Sequence, residues 1–201
     1  MNKRVLIIIS FVFLLLLSVN DVKAASSQTA VFMEDEFQFQ SKSKGISIKI
    51  GSTREEVEEQ LGYATNYYAH SDTYDYKDMV IHYKEGIVDA IMISRDSWFD
   101  WFNTYKTPSG IGLGSKLQKV IQQYGRGALM EPTNGGTVRM ITYLMHKNAQ
   151  GEYRVKSSFH YEETRKIYKD MNTIGMVVDD RGYVQFIMLA TFEYAYRPDF
   201  E

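Results

Sequence analysis

The chain has 201 residues, of which 44% are hydrophobic and 24% charged, and its formal net charge at pH 7 is −2. It contains no cysteine, which excludes a disulfide framework and a lipid-modified N-terminal cysteine. Acidic and basic residues are mixed along the chain, so nucleic acid is not an expected partner, because phosphate contacts require a clustered basic face.

Residues 1–24 have the features of a secretory signal peptide. A basic start at Lys3 and Arg4 precedes an apolar run over residues 5–19, and Ala24 provides the small residue before a cleavage site. The run is shorter than the roughly 20 residues needed to cross a bilayer. We expect a mature bacterial protein that is secreted or held at the cell surface after Gram-positive export, with no membrane association after cleavage. A periplasmic location is the alternative.

Residues 25–43 follow the signal peptide and are polar, without a sustained hydrophobic period. This composition predicts a flexible leader. A single short strand is expected near residues 29–33.

The most informative feature of the sequence is a pattern that occurs twice. Residues 51–62 and residues 114–125 align without a gap, with their glycines, serine and valine in register. Such self-similarity predicts a tandem repeat of one small structural unit. The predicted organisation is unit one over residues 44–95, an aromatic connector over residues 96–108, and unit two over residues 109–201.

Each unit is predicted to contain one short helix packed on an antiparallel β-sheet. Alternating apolar residues at 46–50 predict a strand with one buried face. Ser52 and Ser115, each with Glu or Gln three residues later, predict capping boxes at the helix starts. Gly62 and Gly125 predict left-handed helix ends.

Both units are predicted to end in a β-hairpin, with turns at Gly86 and Gly182. Aligning these turns leaves about 33 extra residues in unit two, which predict a further strand pair at residues 137–147 and 153–161. Residues 162–172 fit a short surface helix or a loop equally well. The expected fold class is therefore α+β, with two tandem units and extra strands in unit two.

The two glycine-bounded helices and the hairpins that follow them resemble the SmpA/OmlA type of unit. Similar units occur in the BamE family, in the tandem repeats of β-lactamase inhibitor proteins, and in domains attached to secreted CAP-family proteins of Gram-positive bacteria. The chain differs from BamE in lacking the lipid-bearing cysteine. The resemblance implies a non-catalytic extracytoplasmic module that binds a protein or an envelope component.

Aromatic side chains are the leading candidates for a binding surface. Both tryptophans, Trp98 and Trp101, lie in the connector at helical spacing, and the alternative is that they fill a groove between the units. Tyrosine within a polar segment is typical of recognition surfaces, although some of these rings could instead cover the sheet edge. The tyrosine candidates are Tyr63, Tyr67, Tyr68, Tyr74 and Tyr76.

The sequence contains no motif for catalysis, for a cofactor or for a metal ion. Its four histidines are scattered, without metal-ligand spacing, and His82 is interpreted as a strand residue. We expect a secreted, non-catalytic binding or inhibitory module that acts on a protein or cell-wall partner, without cofactor or metal. The alternative is a small exported hydrolase that uses unit-two carboxylates such as Glu162 and Asp179.

Overall fold

A computed structural model of the protein describes residues 30–95, 104–125, 129–133, 138–156 and 160–196. The predicted signal peptide, Trp98 and Trp101 lie outside these residues. The strands are β1 (Val31–Phe32), β2 (Gln38–Ser41), β3 (Ile46–Lys49), β4 (Asn66–Tyr68), β5 (Thr73–Asp75), β6 (Val80–Lys84), β7 (Ile87–Ser94), β8 (Leu129–Thr133), β9 (Val138–Lys147), β10 (Tyr153–Lys156), β11 (Met171–Val178) and β12 (Val184–Thr191). The helices are α1 (Arg54–Leu61), α2 (Leu117–Tyr124), α3 (Tyr161–Ile167) and α4 (Phe192–Tyr196).

Ten of these strands form one antiparallel sheet. Nine lie side by side in the order β1-β10-β9-β11-β12-β7-β6-β5-β4, and β8 pairs with β9. Because β11 occupies one edge of β9, strands β8 and β10 share its other edge. Strands β2 and β3 form a separate hairpin. None of the helices in the described part of the chain is long and apolar enough to span a bilayer.

The predicted α+β class is confirmed, but the prediction of two separate tandem units is wrong. Strand β7 of unit one pairs with β12 of unit two, from Ser94 opposite Phe186 to Ala90 opposite Ala190. An unpaired strand edge presents backbone groups that need hydrogen-bond partners, and this pairing supplies them to both units. One sheet and one main hydrophobic core therefore contain residues of both repeats.

The internal repeat is nevertheless visible in equivalent backbone hydrogen bonds. In unit one, the Gly51 amide donates to the carbonyl of Val88 at 2.8 Å, and in unit two the Gly114 amide donates to the carbonyl of Val184 at 2.8 Å. Each bond ties the start of a helix to the second strand of its hairpin. The repeated sequence thus encodes a repeated local structure inside a shared sheet.

Met92 and Met188 mark an approximate twofold axis at the junction of the repeats. Val88 and Val184 are the residues that accept the equivalent glycine bonds. Met92 and Met188 follow them by the same number of residues, so the two methionines occupy equivalent positions. They also lie opposite one another across β7 and β12, with Ile93 opposite Ile187 beside them. The two repeats therefore meet as the subunits of an isologous dimer would.

Helix α1 begins one residue later than predicted. The carbonyl of Ser52 accepts a hydrogen bond from the Val88 amide at 2.8 Å, so β7 fixes this residue in the strand connection. Thr53 caps the helix instead: its Oγ1 accepts from the Glu56 amide at 3.2 Å, and Glu56 Oε2 accepts from the Thr53 amide at 2.9 Å. In α2 the corresponding Lys116 makes no side-chain cap, so the box predicted there is also wrong.

Both helices end at the predicted glycines, Gly62 and Gly125, but these residues do not have the predicted left-handed helical conformation. The φ angles are 79° and 80°, and ψ is −172° in both residues. Glycine is almost the only residue that adopts this backbone conformation. The preceding turns bury Val57, Val120 and Tyr124.

Both predicted hairpins and the extra strand pair are present. Strands β6 and β7 are joined by Glu85 and Gly86, whose φ angles are 54° and 80°, values that a two-residue type I′ turn requires. Strands β11 and β12 form the second hairpin, and β9 pairs with β10. The segment predicted as helix or loop contains α3, followed by a 3-10 turn at Tyr168–Asp170.

Residues 30–43 are part of the fold, which corrects the prediction of a flexible leader over that stretch. The expected short strand is β1, which pairs with β10, and a 3-10 turn follows at Glu34–Phe37. Phe37 and Phe39 are 1% and 0% exposed. A few aromatic residues in a polar segment are enough to anchor it in a core that other parts of the chain provide.

Candidate functional site

Three of the five predicted tyrosines are exposed at one end of the sheet. The exposed fractions are 84% for Tyr63, 48% for Tyr67 and 36% for Tyr68. Tyr67 and Tyr68 lie on β4, the terminal strand of the sheet, and Tyr63 directly follows the end of α1. Because neighbouring residues of a strand project from opposite faces, Tyr67 and Tyr68 flank the outer edge of β4. These two side chains and Tyr63 are called the tyrosine surface below.

Tyr74 and Tyr76 lie deeper than the tyrosine surface. Tyr74 is half-buried, with its ring centroid 4.8 Å from that of Tyr67 and 5.4 Å from that of Tyr83. Tyr76 is 4% exposed, and its hydroxyl is hydrogen-bonded to that of Tyr83 at 2.8 Å. Burial raises the pKa of both Tyr76 and Tyr83. Tyr76 is therefore a core residue, and Tyr74 supports the exposed ring of Tyr67.

The two exposed rings of β4 are held by carboxylates. Tyr67 donates its hydroxyl hydrogen to Asp72 Oδ1 at 2.8 Å, and Tyr68 donates to Asp75 Oδ2 at 3.2 Å. The bond to Asp72 raises the pKa of Tyr67. Because each hydroxyl has a hydrogen-bond partner, the orientation of both rings is restricted.

Arg54 connects the tyrosines to helix α1. Its guanidinium lies 4.5 Å from the ring centroid of Tyr74, and its Nε donates to Glu58 Oε1 at 2.7 Å. A cation over an aromatic face is attracted by the ring quadrupole. The support beneath the tyrosine surface thus extends from β4 through Tyr74 to the helix.

The connector candidates, Trp98 and Trp101, lie outside the described residues, so their role in binding stays a prediction. Tyr105, which the same helical spacing includes, is 1% exposed and belongs to the main core. The part of the connector that the structure describes is therefore anchored by an aromatic residue.

A buried contact between His82 and Asp89, which the sequence did not predict, lies two strands from the tyrosine surface. His82 Nδ1 is 2.5 Å from Asp89 Oδ1, and Asp89 is 8% exposed. Burial raises the pKa of Asp89, an effect that the hydrogen bond to His82 opposes. A β-bulge places the two residues side by side, whereas the bulge of unit two has Val177 and Gln185 at these places. The sequence signal that could have indicated this pair is Asp89, an aspartate within the otherwise apolar strand β7.

Of the unit-two carboxylates, Asp179 and Glu163 are engaged in local contacts. Asp179 Oδ1 accepts from the Tyr183 amide at 2.8 Å, as a hairpin-turn residue does. Glu163, next to Glu162 on α3, pairs with Lys156, which lies across the sheet from Thr173. The backbone from Thr173 to Asp179 extends over about 20 Å, whereas the two carboxyls of a glycosidase are less than about 10 Å apart. The alternative hydrolase stays a prediction.

The described residues contain no group of three or more His, Asp or Glu side chains that could hold a metal ion. No family model, no curated protein and no solved structure matches this chain. The resemblance to SmpA/OmlA units therefore stays a prediction.

Proposed function

We propose that this protein is a secreted, non-catalytic binding module that holds a protein or cell-envelope partner on its tyrosine surface. The observation that carries the proposal is the exposure of Tyr63, Tyr67 and Tyr68 together at the end of the sheet. The predicted signal peptide supports a partner outside the cytoplasm.

Aromatic anchors supply a large part of the binding energy at protein interfaces. A fully covered tyrosine ring removes about 150 to 250 Å² of surface from water, and a few such residues dominate most interfaces. Tyr67 and Tyr68 add pre-organisation, since their hydroxyls are fixed by Asp72 and Asp75. All three rings therefore have the exposure that an anchor requires, and Tyr67 and Tyr68 also have the order.

The charges around the tyrosine surface indicate what the partner presents to it. From Arg54 to Glu85 the chain has eight acidic and three basic residues, and Glu55, Glu59 and Asp72 are exposed. A partner with a neutral or basic contact region suits this field. Added salt should weaken the complex, because exposed charges are screened.

The proposal is tested by changing Tyr67 and Tyr68 together to alanine. The tagged mature protein and the double variant are each incubated with an envelope extract, and retained partners are identified by mass spectrometry. The variant should lose the partner that the wild type retains. Its free energy of unfolding should fall by about 1 kcal/mol or less per site, as for exposed cross-strand residues.

Met140→Ala is the matched control for this experiment. Met140 is 37% exposed, close to the 36% of Tyr68, and lies on β9 in the other half of the sheet. This variant should retain the partner. Full retention by a folded Tyr67→Ala/Tyr68→Ala variant would place the binding site elsewhere and refute the proposal.

A further inference from the structure

The turn between β4 and β5 is linked to a buried carboxylate through one histidine. Asp89 Oδ1 contacts His82 Nδ1 at 2.5 Å, and His82 Nε2 lies 3.8 Å from Asp72 Oδ2. The other oxygen of Asp72 accepts the hydrogen bond from Tyr67. A continuous line of polar contacts thus runs from the interior of the sheet to the tyrosine surface.

The protonation state of His82 decides how the two carboxylates interact with it. A neutral imidazole carries one N–H, and in contact with the Asp89 carboxylate that N–H is at Nδ1. The lone pair of Nε2 then faces the negative charge of Asp72, which is unfavourable. An imidazolium carries an N–H on both nitrogens and attracts both carboxylates.

The other residues around His82 do not supply the attraction that Asp72 and Asp89 provide to its protonated form. The ring centroid of Tyr194 on α4 lies 4.7 Å from that of His82, and the neutral residues Thr73 and Ala90 lie opposite His82 on the neighbouring strands. The nearby charges of Lys84 and Glu193 pair with each other at 2.6 Å. Asp72 and Asp89 are the carboxylates placed against the imidazole, and the charge of Lys84 also acts on Asp89.

The turn that carries Asp72 depends on its side-chain contacts. Asp72 has a φ of 52°, in the left-handed region that residues other than glycine seldom adopt. Its side chain is 59% exposed, so packing alone does not fix it. Attraction to His82 adds a contact to the turn, and loss of that attraction removes it.

We propose that His82 is a pH-sensitive clasp for the tyrosine surface. When His82 is protonated, it attracts Asp72 and holds the β4–β5 turn together with Tyr67. Histidine is the side chain that ordinarily changes charge between pH 5 and 8. The β4–β5 turn is therefore more rigid in mildly acidic conditions and more mobile in alkaline ones. The clasp depends on the proposed function for its biological meaning, whereas its test uses the free protein.

The test measures amide hydrogen exchange of residues 66–75 in the full mature protein at pH 5 and pH 8. Protection factors, corrected for intrinsic exchange, should be about twofold to fivefold higher at pH 5, the range that a partly exposed ion pair produces. In Asp72→Asn the difference should disappear, because the amide keeps an acceptor for Tyr67 but has no charge for His82.

Glu59→Gln is the control, since Glu59 is an exposed carboxylate of α1, and it should keep the pH difference. Equal protection at both pH values in the wild type would overturn the proposal, as would a difference that persists in Asp72→Asn. Neither result involves a partner, so failure of the clasp is distinguished from failure of the binding function.

Discussion

Glu36 shows how one residue ties the N-terminal segment to the rest of the protein. It lies in the 3-10 turn Glu34–Phe37 and is 4% exposed. Its Oε1 accepts from the Tyr124 hydroxyl at 2.5 Å, and its Oε2 accepts from the Ser109 hydroxyl at 2.9 Å. Burial raises the pKa of Glu36, and these hydrogen bonds only partly oppose the rise.

Glu36→Gln should therefore change how stability depends on pH. The pKa in the folded state is above the unfolded value of 4.5, so the folded protein holds this proton more tightly. The folded state therefore loses stability as the pH rises from 4.5 to the pKa of Glu36 in the folded protein, because the buried carboxyl ionises. The stability of the wild type minus that of the variant should be greatest below pH 4.5 and smaller at pH 7.

Urea unfolding of both proteins from pH 4 to pH 8 measures this difference. Asp35→Asn is the matched control, because Asp35 is exposed in the same turn, and its difference from the wild type should not fall with rising pH in the same interval. A Glu36→Gln difference that is constant, or that grows with pH, would contradict the assigned burial effect.

At the scale of elements, α1 and α2 are the same structure encoded by two different sequences. Their last residues are Leu61 and Tyr124, yet Gly62 and Gly125 follow with the same φ and ψ to within one degree. A Cβ added at either glycine would meet no atom within 4 Å. The cost of replacing them is therefore a backbone cost, without steric clash.

Gly62→Ala and Gly125→Ala should each lower the free energy of unfolding by about 1 to 3 kcal/mol, the cost of a non-glycine residue in this region. The two losses should be similar and additive, because the sites share no contacts. Thermal or urea unfolding of the single and double variants measures both properties.

Gly175→Ala on β11 is the control for the helix-end glycines. Gly175 lacks a positive φ, and its added Cβ would make an ordinary 3.5 Å contact with Met188 Cε. This variant should be as stable as the wild type or slightly more so. Unchanged unfolding midpoints for both helix-end variants would show that their backbone is not strained.

At the scale of the whole molecule, the junction between β7 and β12 makes the two repeats one cooperative structure. Ile93 and Ile187 face each other across it and are 1% and 0% exposed. Side chains of both repeats belong to one buried cluster. Neither repeat can open its last strand without exposing that cluster to water.

Ile187→Ala should lower the free energy of unfolding by about 2 to 5 kcal/mol, as for other large-to-small core changes. Although the change lies in unit two, amide protection should fall in both repeats, and unfolding should remain a single transition. Hydrogen exchange and urea unfolding detect these effects. A variant in which only unit two loses protection, or which unfolds in two steps, would show that the repeats are independent.

Local features of this protein were predictable because local chemistry decides them. Gly62, Gly125 and Gly86 mark backbone conformations that other residues adopt with strain, and alternating apolar residues mark strands that have one buried face. The strand pair β9 and β10 followed from the same pattern. The capping position was wrong by one residue, because β7 binds the backbone of Ser52 from a distant part of the chain.

For the candidate site, the sequence identified a tyrosine cluster but did not separate its members. Tyr67 and Tyr76 have the same side chain and similar neighbours, yet one is 48% exposed and the other 4%. The difference depends on which strand lies at the end of the sheet and on which face α1 covers. The His82 and Asp89 pair likewise depends on a bulge, which shifts the register between β6 and β7 and places the two residues side by side.

Helices α1 and α2, the two predicted hairpins, the repeat and the α+β class could be read from the sequence, because each follows from preferences of neighbouring residues. Long-range packing decides that β7 and β12 join the repeats, that Phe37 and Phe39 enter the core, and that three tyrosines remain exposed. Hydrophobic periodicity specifies which side chains share a face of a strand. It does not specify which strand edge will be paired, because every edge offers the same backbone donors and acceptors.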